Sequence, residues 1–115
     1  MAKGDIKREE FYFLYITAAS KEEAVKLART LVAERLVACE NVIDHIHTYN
    51  WWGGEVKDDF EAVVVAKTQG LRLEAAIDCA KDISSYECPC VVAWPLMACN
   101  SDFFRWITKE TGVER

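Results

Sequence analysis

Cys88 and Cys90 flank Pro89, and residues two apart in extended chain point to one side, so the two sulfurs can together chelate a soft ion. The competing reading is a pair of small hydrophobes. His45 and His47 share this spacing, which puts two imidazoles on one side of a strand, either to share a metal with a further ligand or to stand exposed. Glu61 and Lys67 lie six residues apart in a strand-like run and so share a face, as a charged pair that grips a ligand or bonds across an interface. Tyr49, Trp51 and Trp52 offer flat aromatic surface for stacking on a ligand or anchoring a partner chain. Cys39 reads as a small core residue, since nothing around it supplies the positive setting that activates a thiol.

The elements that position these residues follow from periodicity. Glu10 to Ala18 is aromatic, β-branched and apolar on both faces, as a central strand is. Ser20 followed by Glu23 forms a capping box and opens a first helix, in which Ala24, Leu27, Ala28, Leu31 and Leu36 make an apolar stripe; the helix stops near Glu34. Val37 to Trp52 turns extended, Gly53-Gly54 supplies the positive φ of a tight hairpin, and Val56 to Thr68 returns with the buried run Ala62 to Ala66. Gly70 breaks that strand, Leu73, Ala76, Ile77, Ala80 and Ile83 mark a second helix ending at Ser84-Ser85, and a strand runs from about Cys90 to Leu96. A last short helix is capped near Ser101 or Asp102, and the chain after Thr111 is expected to be loose. The order is βαββαβ plus a terminal helix, which predicts an α+β, ferredoxin-like sandwich with an additional C-terminal helix. With both helices on one sheet face, Phe11, Phe13, Val63 and Val65 need a second cover, and self-assembly supplies it.

With 115 residues the chain has room for one core: a flexible segment over residues 1–9 and a single domain over 10–115. The net charge of −5 repels phosphate backbones and anionic headgroups, so neither nucleic acid nor membrane is expected as a partner. No apolar run reaches the roughly 18 residues of a membrane span. The start, Met1 to Glu10, is polar where a signal peptide is apolar, which points to a cytoplasmic protein. Five cysteines without Cys-x-x-Cys spacing read as reduced thiols and not as a disulfide framework or structural zinc site.

From the first strand to the last helix the chain resembles the CutA divalent-cation-tolerance family. The resemblance is carried by Thr17, by Glu23 to Ala28, by the helix running into Leu36-Val37-Ala38-Cys39-Glu40-Asn41, by Trp52-x-Gly54, by Glu61 before a hydrophobic strand ending Lys67-Thr68, by Tyr86-x-x-Pro89 and by Phe104-x-Trp106. It implies a homotrimer in an arrangement similar to PII-type signalling proteins, with intersubunit clefts lined by Trp52, Glu61, Lys67 and Tyr86. It also implies a role in tolerance of copper or another divalent cation, exercised by binding or signalling a metal ion or small ligand, with no catalytic residues and no organic cofactor. One stretch departs from the family pattern: His-Pro-Tyr-x-x-Pro-Glu is replaced by Ser84-Ser85-Tyr86-Glu87-Cys88-Pro89-Cys90, which removes a histidine and a carboxylate and makes Cys88 and Cys90 the metal candidates.

Other functions on this topology each lack a signature. A small acylphosphatase-like enzyme needs glycine and arginine in the loop after the first strand, and Thr17-Ala18-Ala19-Ser20 has neither. RNA-binding domains of the same order carry stacking aromatics on the third strand, where this chain has Phe60 alone. A copper chaperone needs Cys-x-x-Cys after the first strand. A PII-like small-ligand-binding protein remains the alternative to cation tolerance.

Overall fold

The computed structural model describes residues 4–112; the tail beyond Gly112, expected to be loose, and the first three residues of the leading segment lie outside the described residues. The elements are β1 (Phe11–Ala18), α1 (Lys21–Ala33), β2 (Cys39–Trp52), β3 (Glu55–Gln69), α2 (Gly70–Ile83), β4 (Val91–Pro95) and α3 (Ser101–Thr111). The strands form one antiparallel sheet in the order β2-β3-β1-β4. This is an α+β fold of four strands and three helices.

β1 sits second from one edge of the sheet and is paired on both sides, by β3 and β4, which accounts for its apolar character throughout. Tyr12, Leu14, Ile16 and Ala18 point to the face that α1 and α2 cover. They meet Leu27 and Leu31 of α1, Ala62, Val64 and Ala66 of β3, and Leu73, Ala76 and Ala80 of α2 in one core. These stripes are the i, i+3, i+4 spacing of an amphipathic helix laid on the period of two of a strand.

The start of α1 is a reciprocal capping box: the Glu23 N–H donates to Ser20 Oγ at 3.1 Å and the Ala19 N–H reaches back to Glu23 Oε2 at 3.5 Å. Ser20→Ala should therefore lower the unfolding free energy by about 1 kcal/mol, read as an earlier urea midpoint with an unchanged slope. At its other end α1 stops at Glu34, and Arg35 takes φ 59° in the left-handed region. The Leu36 N–H then returns to the Leu31 carbonyl at 3.0 Å, which turns Leu36 inward beyond the helix end. Arg35 Nη1 holds Glu110 Oε1 at 2.9 Å and the Glu110 carbonyl at 3.0 Å, tying this corner to α3.

Gly53 and Gly54 carry φ of 62° and 80°, as the hairpin between β2 and β3 requires. Within β2 the pairing slips between Ile43 and Ile46: His45 takes φ 65° and its N–H binds Asp44 Oδ1 at 2.8 Å, a β-bulge. Before the bulge the odd-numbered residues of β2 stand opposite Val63, Val65 and Lys67; after it Ile46 stands opposite Glu61 and Thr48 opposite Asp59. The bulge thus exchanges the two faces of the outer half of the hairpin.

The sheet face away from α1 and α2 is covered at one end by α3, whose Ile107 and Thr111 are buried. Phe11 stacks on Phe104 at 4.3 Å between centroids, and Gln69 Nε2 donates to Thr111 Oγ1 at 2.9 Å. The residue preceding α3 is Asn100, not Ser101 or Asp102, and its carbonyl accepts from the Phe103 N–H at 3.0 Å while its side chain makes no cap. Ahead of β1, Ile6 packs on the core and the Lys7 N–H donates to Tyr12 Oη at 2.9 Å. Among the described residues no helix is long and apolar enough to cross a membrane.

Candidate functional site

A cleft of about 710 Å³ opens where the outer half of the hairpin meets the loop between α2 and β4. Three of its positions come from β2, Thr48, Asn50 and Trp52; they face it because the bulge has exchanged the strand's faces. Glu61 rises from β3 at its centre, Thr17 from the end of β1, and the loop contributes Tyr86, Cys88 and Cys90.

Glu61 organises this cleft. Tyr86 Oη donates to Glu61 Oε2 at 2.5 Å and Thr48 Oγ1 donates to Glu61 Oε1 at 2.8 Å, so each carboxylate oxygen has a hydroxyl partner. Burial, followed by the bond to Glu61 and its charge, pushes the Tyr86 phenol well above the ordinary range, and the group stays protonated as a donor. Burial also pushes the Cys90 thiol up, reinforced by Glu61, while the Thr17 side chain in hydrogen-bonding reach acts the other way. The loop is pinned at both ends: the Tyr86 N–H binds Ser84 Oγ at 3.1 Å and the Thr17 N–H binds the Cys90 carbonyl at 3.2 Å.

Of the four residues expected to line a cleft, the fold brings together Trp52, Glu61 and Tyr86, and adds Cys88 and Cys90. Lys67 is not among them. It shares a sheet face with Glu61, as the six-residue spacing demands, but that spacing is about 20 Å along a strand. Its ammonium instead lies 5.7 Å from the centre of the Phe13 ring, which in turn packs on Trp94 at 4.9 Å. His45 and His47 do share a face, against Phe60 at 4.5 and 4.3 Å, and His47 Nδ1 lies 3.7 Å from Asp58 Oδ1, but they stand on the side of the hairpin away from Glu61. Trp51 goes with them and is 73 % exposed. Cys39 is half-buried at the start of β2.

Thr48, whose hydroxyl binds Glu61, carries no motif of its own, and a bulge in β2 is the signal that would have found it; Thr17 was marked by the resemblance, but not as part of a cleft. Among the described residues no three histidine, cysteine or acidic side chains converge as a ready metal cage. With both Glu61 oxygens engaged, a single chain does not present the four or more donors that a zinc ion or a hard divalent cation takes.

Residues 12–110 match the family model described as CutA1 divalent ion tolerance protein. The chain is 35% identical over 95 residues to the divalent-cation tolerance protein CutA of Archaeoglobus fulgidus, covering 83% of this chain and 92% of that one. It is 32% identical over 98 residues to the chloroplastic protein CutA 1 of Oryza sativa subsp. japonica; the match takes in 85% of this chain and spans only 55% of the rice protein. Among solved structures, CutA1 from Oryza sativa superposes with a TM-score of 0.88 at 29% identity, over 93% of this chain and 98% of that one. The protein described as periplasmic CutA from Archaeoglobus fulgidus gives 0.84 at 33% identity, over 88% and 98%.

Proposed function

The chain belongs to the CutA1 divalent ion tolerance family, and from that premise we propose that it serves tolerance of divalent cations, copper among them, as a cytoplasmic homotrimer that binds a cation or small ligand and catalyses no reaction. The strand order agrees with a ferredoxin-like sandwich. The observation that carries the assembly is the pair of sheet edges. Val42 and Ile43 on β2, and Val92 and Trp94 on β4, are exposed apolar residues on the two edge strands, whose outer sides pair with no further strand among the described residues. Such edges invite pairing with a further copy of the chain. In a trimer the Glu61 cleft becomes a junction between subunits, and a neighbouring chain adds the donors that one chain lacks.

Binding without catalysis agrees with the state of the polar groups. Tyr86 is held as a neutral donor and Glu61 is held by two hydroxyls, so neither stands free as a base. The acylphosphatase-like reading meets a further obstacle: Glu23 sits back over the Ala19 N–H at the start of α1, where an anion would have to bind.

Native mass spectrometry of the protein with and without copper(II) and zinc tests this directly, since one spectrum reports both subunit count and metal stoichiometry. The expected result is a trimer that retains added metal. A metal-free trimer removes the cation and leaves the small-ligand alternative, whereas a monomer overturns the assembly.

A further inference from the structure

Three acidic residues on the cleft side, Asp59, Glu61 and Glu87, line the cleft against the single lysine Lys57, so its field draws cations in. The two thiols at its wall are the soft donors there. Cys88 is exposed and open to an arriving ion, and Cys90, two residues on, is half-buried with its backbone carbonyl held by the Thr17 N–H. Pro89 between them fixes its own φ, and the loop is fastened through Ser84 and through the Tyr86–Glu61 bond. A short, pinned dithiol segment at the end of an acidic cleft loses little freedom when its two sulfurs close on one ion.

Two thiolates with no third sulfur from this chain at the cleft suit a soft d¹⁰ ion that accepts two-coordinate sulfur, and do not by themselves suit zinc, which takes four ligands. We propose that Cys88 and Cys90 form a two-sulfur site for a soft monovalent cation, copper(I), at the loop wall of the Glu61 cleft. On binding, two S–H bonds break and two S–Cu bonds form, both protons leave to solvent through the open cleft, and no oxidation state changes. The complex carries one net negative charge from two thiolates and one monovalent ion. The inference rests on the reading of this cleft as a cation site and names the ion that the loop selects.

The test is an anaerobic competition titration of the full chain with copper(I), supplied as its acetonitrile complex against a chromophoric copper(I) chelator. The wild-type protein is expected to take up one ion per chain. Cys88→Ser and Cys90→Ser should each weaken the uptake by about 100-fold or more, while Cys39→Ser, Cys79→Ser and Cys99→Ser leave it unchanged. X-ray absorption of the loaded protein should show sulfur-only, two-coordinate copper. Uptake that survives in the Cys88→Ser, Cys90→Ser double variant, or none in wild type, overturns the site. Thermal melting of each variant separates loss of binding from loss of fold. Copper(II) and zinc stoichiometry and subunit count, measured by native mass spectrometry on the same double variant, distinguish failure of this site from failure of the cation-tolerance reading: retained trimer and divalent metal leave that reading standing.

Discussion

Gly70→Ala is expected to destabilise the chain by about 1–3 kcal/mol, against the trend of helix propensity. Gly70 is the first residue of α2, where alanine is ordinarily the better helix former by up to about 1 kcal/mol. Its φ is not left-handed, so conformational freedom is not what glycine supplies here. A Cβ at this position would lie 1.9 Å from the Lys7 carbonyl oxygen and 2.9 Å from Arg8 Cα, inside backbone that has no flexible end to swing aside. The Gly70 N–H also donates to the Glu10 carbonyl at 2.7 Å, so the leading segment is strapped across the start of α2 by the contact that the methyl would displace. The opposing signs of propensity and clash make chemical denaturation decisive. A lower urea midpoint, with faster hydrogen exchange at residue 70, is the expected outcome; a more stable variant would mean that the segment over residues 6–10 yields without loss.

Replacing Glu40 should do the reverse. Glu40 stands on β2 opposite Ala66, and its Oε2 is buried without a hydrogen-bond partner among the described residues. Burial pushes its carboxyl up to about 8, from an ordinary 4.5. The folded chain therefore holds a proton that the unfolded chain has released between those two values. The Glu40 contribution to stability is fully present below about pH 4.5, is lost as pH rises through the interval, and levels off above about 8. The full interval is worth about 5 kcal/mol at 1.36 kcal/mol per unit, but the side chain is partly open to water, and screening reduces the expected effect to about 1–2 kcal/mol. Glu40→Val, which suits a strand beside Ala66 and Val64, should raise stability at pH 8 by that amount and flatten the decline between pH 5 and 8. Glu40→Gln should flatten the decline without the packing gain. A wild-type melting temperature that does not fall between pH 5 and 8 would show that water or a neighbouring chain solvates the carboxylate.

Most element positions were legible because they are local. The capping box at Ser20 and Glu23, the Gly53-Gly54 turn, the helical stripe Leu73, Ala76, Ala80 and the aromatic β1 each depend on residues a few positions apart, and each appears where the sequence placed it. Leu36 shows the limit of this reading: it continues the α1 stripe by spacing, yet the left-handed Arg35 has already ended the helix, and Leu36 reaches the core from the following turn. Lys67 shows another. Periodicity assigned it to the face of Glu61, but sharing a face of a long strand is not proximity, and its ammonium settles over Phe13.

The cleft was only half legible. Glu61, Tyr86, Trp52 and Thr17 were marked by resemblance, and Cys88 and Cys90 by their spacing, but Thr48 had no signal. The amino-acid order by itself determined the class of fold, the family and the chemistry available at each position, since period, caps and turn residues act over one or two turns of chain. The tertiary structure alone decided which side chains meet. A one-residue bulge at Asp44 and His45, set by pairing with β3, turns Thr48, Asn50 and Trp52 toward Glu61 and sends His45, His47 and Trp51 to the opposite side. Strand side chains alternate with a period of two, so one extra residue reverses every position beyond it, and cross-strand contacts distant in sequence are what place that residue.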